Sequence, residues 1–110
     1  MQVVGNSRLS DSITWTDRQL QRKHGKHAAD FGVSRSYTSQ SAKQFKQALK
    51  DFVDQPYTIK VQGTYRGQPV TLYTDRGYSK VVLVSPGGEF VSGWKLNAHQ
   101  SNNLKQRHSL

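Results

Sequence analysis

The sequence predicts one α+β domain in which amino-terminal helices pack on an antiparallel sheet of roughly four to five strands. Apolar residues recur at helical spacing in the first half of the chain, whereas they alternate with period two in the second half. The links between the alternating segments are short, which favours hairpins over crossover connections. A chain of 110 residues suffices for one buried core and is too short for two.

The folded domain is predicted to cover residues 13–110. Residues 1–12 have weak periodicity and many small polar side chains, which is typical of a flexible lead-in or the remnant of a linker. We therefore expect little function in residues 1–12.

Two helices are predicted in the first half of the domain. Thr16 and Gln19 have the spacing of a capping box, so the first helix should begin near Asp17 and run towards His27. The second helix lies in AKQFKQALKDFV, where apolar residues recur at helical spacing: Phe45, Ala48, Leu49 and Phe52.

The second half contains alternating segments that predict strands: YTIKVQGTYR, PVTLYT, KVVLVS and EFVSGWKL. Strict alternation in the last segment predicts that its larger side chains share one face: Phe90, Ser92, Trp94 and Leu96. A short helix should follow Asn97, with Leu104 as its apolar anchor. We expect the helices on one face of the sheet, which leaves the other face for function.

The charge of the chain indicates a polyanionic partner. Lysine and arginine total 16 against 7 acidic residues, a formal charge of +9, and the basic residues are interleaved with aromatic ones. Nucleic acid is therefore the first partner to consider. The sequence has no cysteine, which excludes disulfides and thiolate chemistry, and no apolar run long enough to span a membrane. The acidic residues are scattered, so we expect neither a metal site nor a cofactor.

The side chains that remain plentiful can cleave RNA without a metal. In that reaction a base removes the proton of the ribose 2′-hydroxyl, cations hold the phosphate oxygens, and an acid protonates the leaving oxygen. The stretch KHGKH offers His27 as the proton-transfer group, with Lys23 and Lys26 attracting phosphate and lowering the pKa of His27. The same stretch is also typical of a solvated basic helix end.

A second candidate group lies in EFVSGWKLN. There Ser92 can donate to a phosphate oxygen and Trp94 can stack on a base, although the pattern taken alone favours a core tryptophan beside a tightly packed serine. We predict further RNA contacts at basic residues of the strands and turns: Lys60, Arg66, Arg76 and Lys95.

Three motifs in order, KHAADFG, GTYRG and GEFVSGWKL, resemble the toxin domains of the colicin D family over most of residues 18–104. Related domains form the carboxyl-terminal toxins of contact-dependent growth inhibition proteins. The resemblance implies a fold like those of barnase, EndoU, colicin and RelE-type ribonucleases. It also implies a metal-independent endonuclease that cuts transfer RNA in or near the anticodon loop and leaves a 2′,3′-cyclic phosphate.

The resemblance assigns roles by position. The family's catalytic histidine falls on His27, its adjacent lysine on Lys26, and its serine and tryptophan on Ser92 and Trp94. A further family lysine just upstream of the histidine has no aligned match, and Lys23 or His24 is the nearest counterpart. The second proton-transfer partner stays open among water and three side chains: His24, Thr64 and Tyr73.

The resemblance also implies an acidic immunity protein that covers the active site of a monomeric toxin in a heterodimer. The domain would be delivered as part of a larger secreted or cell-surface protein and would act in the cytoplasm of the target bacterium. Two other interpretations remain open at this point. They are a non-catalytic RNA-binding or DNA-binding domain, and a nuclease toxin that acts on another nucleic acid.

Overall fold

The computed structural model describes residues 8–110 and contains a four-stranded antiparallel sheet with helices packed on it. The helices are α1 (Asp17–His27), α2 (Ser39–Asp54) and α3 (Ala98–Arg107). The strands, in the spatial order of the sheet, are β1 (Ile59–Tyr65), β2 (Gln68–Thr74), β3 (Lys80–Val84) and β4 (Phe90–Lys95). The predicted fold class is confirmed, since every strand pairs with its sequence neighbour through a short hairpin.

The helix α1 begins where its capping residues predict. The Thr16 hydroxyl accepts a hydrogen bond from the Gln19 backbone N–H at 3.2 Å, which satisfies one of the free donors of the first turn. After His27 the chain tightens into a short 3₁₀ turn over Ala28–Phe31 and stops at Gly32, which has a left-handed φ of 77°. This turn itself contacts the edge strand β4, beside the contact that α1 makes with the same strand.

The main core lies between the helices and one face of the sheet. Helix α2 contributes the larger apolar side chains, and Phe45 and Leu49 are completely buried. They pack against side chains of the strands: Tyr73, Val82, Val84 and Phe90. Burying apolar side chains of this size stabilises the fold by about 1.5–3 kcal/mol each, so α2 is the main anchor of the sheet.

The second face of the sheet is not free, which corrects the expectation that it is left open for function. It carries its own apolar cluster, and helix α3 covers that cluster with the fully buried Leu104. The strand residues beneath it are Val61, Val70, Leu72, Val81 and Leu83. A face this apolar must be removed from water, so the sequence signal for α3 already implied a second layer.

Strand β4 contains a bulge that corrects the predicted single face. Leu83 pairs with Ser92 whereas Val84 pairs with Phe90, so Val91 is an extra residue on β4. The alternation changes phase at this point. Phe90 faces the helices, while Ser92, Trp94 and Leu96 share the second face.

The chain is also packed before residue 13. Leu9–Ser12 form a 3₁₀ turn, and the Ser10 side chain is buried and donates to the Asp54 carboxylate of α2. The rest of the predicted lead-in, residues 1–7, lies outside the described residues. Within residues 8–110, none of the helices has the length and apolar character that crossing a membrane requires.

Candidate active site

A cavity of about 470 Å³ lies where α1, β4, α3 and the β1–β2 hairpin meet. Its walls bring together residues that are far apart in the sequence: Lys23, Lys26, His27, Tyr65, Arg66, Ser92, Trp94, Gln100 and Leu110. Three of these side chains are cationic, and no acidic side chain of residues 8–110 lines the cavity. The cavity therefore favours an anionic ligand.

Helix α1 supplies one wall through Lys23, Lys26 and His27, which lie within its last turns. Spacings of three and four residues place such side chains on one side of a helix. The helix is held against the sheet edge by Gln19, whose side-chain amide donates to the Val91 carbonyl at the bulge, with a distance of 2.6 Å. The bulge in β4 thus helps to position α1.

The pKa of the His27 imidazole is displaced from its ordinary value. Burial of the imidazole lowers its pKa below the ordinary value of 6.5, and the nearby charges of Lys26 and Lys23 lower it further. The Asp30 carboxylate, 3.7 Å from Nδ1, opposes this effect without overcoming it. His27 is therefore neutral at pH 7, the form that can accept a proton.

Asp30 has a second partner that fixes its position. Its carboxylate also accepts a hydrogen bond from the Lys95 backbone N–H at 3.2 Å, which links the 3₁₀ turn after α1 to the end of β4. The carboxylate therefore orients His27 from a point tied to the sheet. A histidine oriented in this way keeps its other ring nitrogen, Nε2, for chemistry in the cavity.

Trp94 forms the floor between the walls of the cavity. Its ring lies 6.1 Å from the His27 ring and 5.7 Å from the Tyr65 ring, measured between centroids. Its Nε1–H donates to the side-chain oxygen of Gln100 at 3.3 Å. The indole packs in the second apolar cluster and also lines the cavity, so its contact with a base stays a prediction.

Ser92 lies beside Trp94 and is 3 % exposed. It faces the cavity because the bulge at Val91 turns it away from the helices. A hydroxyl at this position can donate to a phosphate oxygen bound in the cavity.

His24 is brought to a different place from His27. It is 1 % exposed and packs edge-on against Tyr37 and Phe45, at centroid distances of 5.3 and 5.2 Å. Its Nε2–H donates to the Ser34 carbonyl at 2.8 Å, and its Nδ1 has no hydrogen-bond partner among the described residues. His24 is one of the open candidates for the second proton-transfer group, and the structure places its ring between α1 and α2, outside the cavity wall.

The other two candidates for the second proton-transfer group also lie outside the cavity. Tyr73 belongs to the core on the helix side of the sheet, where burial and the Asp54 charge raise its pKa. Thr64 donates its hydroxyl to Ser109 at 3.1 Å at the outer edge of β1. Neither side chain contributes to the cavity wall.

Among the basic residues predicted to contact RNA, Arg66 lines the cavity. The exposed side chains of Lys60, Arg76 and Lys95 lie outside it. Surface positions of this kind suit non-specific contact with a polyanion, and their predicted RNA contacts stay predictions.

Sequence reasoning missed Tyr65, Gln100 and Leu110 as cavity residues. Tyr65 lies inside the GTYRG motif, and Asn97 and Gln100 have the spacing of a capping box, which the structure forms with distances of 2.8 and 3.1 Å. That box holds the Gln100 oxygen where Trp94 can reach it, so its spacing was an available signal. No local sequence pattern indicates that Leu110 lines the cavity.

The donor set of the cavity is made of imidazole, ammonium, guanidinium and hydroxyl groups. Residues 8–110 contain no group of three or more histidine or acidic side chains placed to hold a metal ion. Chemically, the set can bind a phosphate through its cations and move a proton through His27.

Comparisons with known proteins identify the family of the chain. The family model for Colicin D matches residues 19–104. The chain is 33% identical over 94 residues to Colicin-D from Escherichia coli, which covers 84% of this chain and 13% of that protein. The chain therefore spans a small part of the length of this relative.

A solved structure gives the same result in three dimensions. The chain superposes with a TM-score of 0.73 on a ribonuclease from Escherichia coli complexed with its inhibitor protein, at 31% identity. The likeness covers 84% of this chain and 100% of that one. Because the family match spans most of the chain and the fold agrees, the chain belongs to the Colicin D family.

Proposed function

We propose that this domain is an antibacterial toxin that cleaves RNA without a metal ion, with His27 as the proton-transfer group. The observation that carries the proposal is the position of His27, a histidine of lowered pKa, on the wall of a cationic cavity shared with Ser92 and Trp94. A neutral imidazole beside bound phosphate is the arrangement that internal cleavage of RNA requires.

The reaction follows from the groups present. Neutral His27 removes the proton of a ribose 2′-hydroxyl, and that oxygen attacks the adjacent phosphorus. The bond to the 5′-oxygen breaks, which leaves a 2′,3′-cyclic phosphate on one fragment and a 5′-hydroxyl on the other. Lys23 and Lys26 compensate the charge that develops on the phosphate oxygens, and Ser92 donates a hydrogen bond to one of them.

The departing 5′-oxygen needs a proton. Because His24, Thr64 and Tyr73 lie outside the cavity wall, we assign this proton to water or to His27 itself after its protonation. The Asp30 carboxylate stabilises the imidazolium formed in the first step.

We propose transfer RNA as the substrate, cut in or near the anticodon loop. A loop presents unstacked bases and accessible riboses, whereas a duplex keeps its bases stacked. The row of His27, Trp94 and Tyr65 rings gives an unstacked base an aromatic surface beside the proton-transfer group. Membership of the Colicin D family supports this choice of substrate.

We further propose an acidic immunity protein as the partner of a monomeric toxin. The solved relative is a ribonuclease complexed with its inhibitor protein, and the formal charge of +9 favours fast association with an acidic surface. The domain would be delivered within a larger secreted or cell-surface protein, as in colicins or contact-dependent growth inhibition, and would act in the cytoplasm of the target cell.

The test is incubation of the purified protein with total bacterial RNA in EDTA, read on a denaturing gel with probes for individual transfer RNAs. Wild type is compared with His27→Ala and with His99→Ala, a control that removes an exposed histidine outside the cavity. We expect discrete transfer RNA fragments from wild type and His99→Ala, and a loss of at least about a hundredfold in rate for His27→Ala.

Each other outcome has a definite meaning. Intact RNA in all lanes would overturn the nuclease proposal in favour of a binding domain. Cleavage that survives in His27→Ala would place the proton transfer elsewhere. Cleavage that appears only when Mg²⁺ replaces EDTA would contradict the metal-independent mechanism and reopen DNA as the substrate.

A further inference from the structure

The turn of the β1–β2 hairpin holds an arginine in a conformation that arginine disfavours. Arg66 and Gly67 form its two central positions, with φ angles of 52° and 81°. Two positive φ angles in succession are typical of a type I′ turn, in which asparagine or glycine fits best. A long side chain at the first position costs conformational energy, which makes Arg66 a candidate for a functional role.

The carboxyl-terminal segment of residues 108–110 secures this turn. It runs parallel to the outer edge of β1, where the Thr64 N–H donates to the His108 carbonyl at 3.0 Å and the Arg66 N–H donates to the Leu110 carbonyl at 2.8 Å. The approach depends on Gly63, because a Cβ there would collide with the His108 carbonyl oxygen. Near the turn, β1 is therefore bonded to β2 on one edge and to residues 108–110 on the other.

The Arg66 side chain is directed by the neighbouring aromatic ring. Its guanidinium carbon lies 5.2 Å from the centre of the Tyr65 ring, within the range of a cation–π contact. Tyr65 in turn packs against Trp94. The cation therefore lines the cavity from the hairpin, whereas Lys23 and Lys26 line it from α1.

We propose that Arg66 is a phosphate-binding residue of the cavity, which holds a phosphate of the RNA strand next to the one that is cleaved. This inference rests on the proposed function and names a subsite within that cavity. Arginine suits the task because its planar guanidinium donates two hydrogen bonds to one phosphate and loses little hydration in doing so. With the lysines on the other wall, Arg66 would hold the strand across Trp94.

A matched pair of arginines makes the proposal testable. Arg76 is also exposed, lies in the next hairpin connection and has its guanidinium carbon 5.8 Å from the centre of the Tyr57 ring. It lies outside the cavity. Arg76→Asn thus removes the same charge and a similar aromatic contact at an exposed position where we predict only non-specific contact with RNA, so it measures the general electrostatic effect. Arg66→Asn removes the charge while giving the turn a residue it prefers.

The experiment uses bulk transfer RNA as the probe. Cleavage is measured for the arginine variants of the active protein, and binding is measured for the same variants combined with His27→Ala. We expect Arg66→Asn to lower both affinity and kcat/KM about tenfold, the effect of one charge-assisted phosphate contact, and Arg76→Asn to lower them by about twofold or less. Arg66→Lys should recover part of the loss. The slope of log Kd against log salt should fall by roughly 0.7 to 0.9 for Arg66→Asn.

The thermal midpoint separates binding from folding. We expect Arg66→Asn to unfold at the same temperature as wild type or higher, since asparagine tolerates the left-handed region. Equal losses in Arg66→Asn and Arg76→Asn would overturn the phosphate subsite while leaving the nuclease proposal intact. A wild type that cleaves no RNA, with a selective loss of binding in Arg66→Asn, would overturn the nuclease proposal and leave Arg66 as a phosphate contact of a binding domain.

Discussion

At the scale of single residues, the surroundings of His27 decide its chemistry. Burial and two lysines favour the neutral ring, while Asp30 favours the charged one. Burial is the largest of these influences, so the pKa of His27 falls below 6.5. His24, one turn earlier on the same helix, is sealed between aromatic rings and faces no cavity. The two histidines meet different environments because α1 packs against α2 on the side of His24 and borders the cavity beside β4 on the side of His27.

The balance of charges around His27 predicts the pH dependence of cleavage. A general base must be deprotonated, so kcat/KM should fall as pH drops through the pKa of His27, with a midpoint below 6.5. Asp30→Asn removes the influence that raises this pKa and should move the midpoint to lower pH. Lys26→Gln removes an influence that lowers the pKa and should move the midpoint to higher pH. The pH profile of single-turnover cleavage measures the midpoint for wild type and for both variants.

Opposite shifts in these two variants are the signature of charge effects on one group. If Asp30→Asn moved the midpoint to higher pH, the fall of kcat/KM at low pH would report the titration of a residue other than His27. A downward shift with wild-type stability would exclude a folding defect as the cause.

At the scale of elements, the approach of the 108–110 segment to β1 is the contact that completes the cavity. Three backbone hydrogen bonds join the segment to Thr64 and Arg66. The hairpin residues that line the cavity, Tyr65 and Arg66, are positioned by these bonds. Glycine at position 63 is needed because the His108 carbonyl occupies the space of a Cβ. Glycine at position 25, on the exposed side of α1, has open space instead.

These two glycines predict opposite effects of the same substitution. Gly63→Ala should destabilise the domain by about 1–3 kcal/mol, because the clash involves backbone that can move only by breaking hydrogen bonds. Gly25→Ala should stabilise it by about 0.5–1 kcal/mol, because alanine restricts the unfolded chain and favours the helix. Urea unfolding of both variants is the measurement. Equal stability of Gly63→Ala and wild type would contradict the close packing of residues 108–110 on β1.

At the scale of the whole molecule, the charge of +9 acts before any contact forms. A cationic surface attracts RNA over distances of about 10 Å at moderate salt, and it would attract an acidic inhibitor in the same way. The cavity concentrates this effect, since three of its side chains are cationic. Substrate and inhibitor should therefore compete for one surface.

The charge predicts a strong salt dependence of RNA binding. The Kd of His27→Ala for bulk transfer RNA should rise steeply between low and moderate NaCl, because each neutralised phosphate releases counterions. Fluorescence anisotropy over a salt series measures the slope, and an acidic homopolymer such as polyglutamate serves as a competitor without bases. A Kd that does not change with salt would contradict electrostatic binding.

The sequence by itself determined the features that depend on neighbours along the chain. The cap at Thr16, the apolar stripe of α2, the hairpin order of the strands and the excess of positive charge all follow from short-range patterns. The motifs around His27 and Ser92 also identify the family from the sequence alone. Such features are readable because local geometry and solvation act within a few residues.

Only the tertiary structure decided which of these residues meet. Period two placed Phe90 beside Ser92, but packing of β4 against β3 inserts a bulge at Val91 that separates them. The choice between His24 and His27, and the arrival of Tyr65, Gln100 and Leu110 at the cavity, depend on how α1, α3 and the β1–β2 hairpin pack. These contacts join residues distant in sequence, and the free energy that selects them is shared over the whole core instead of being carried by any local pattern.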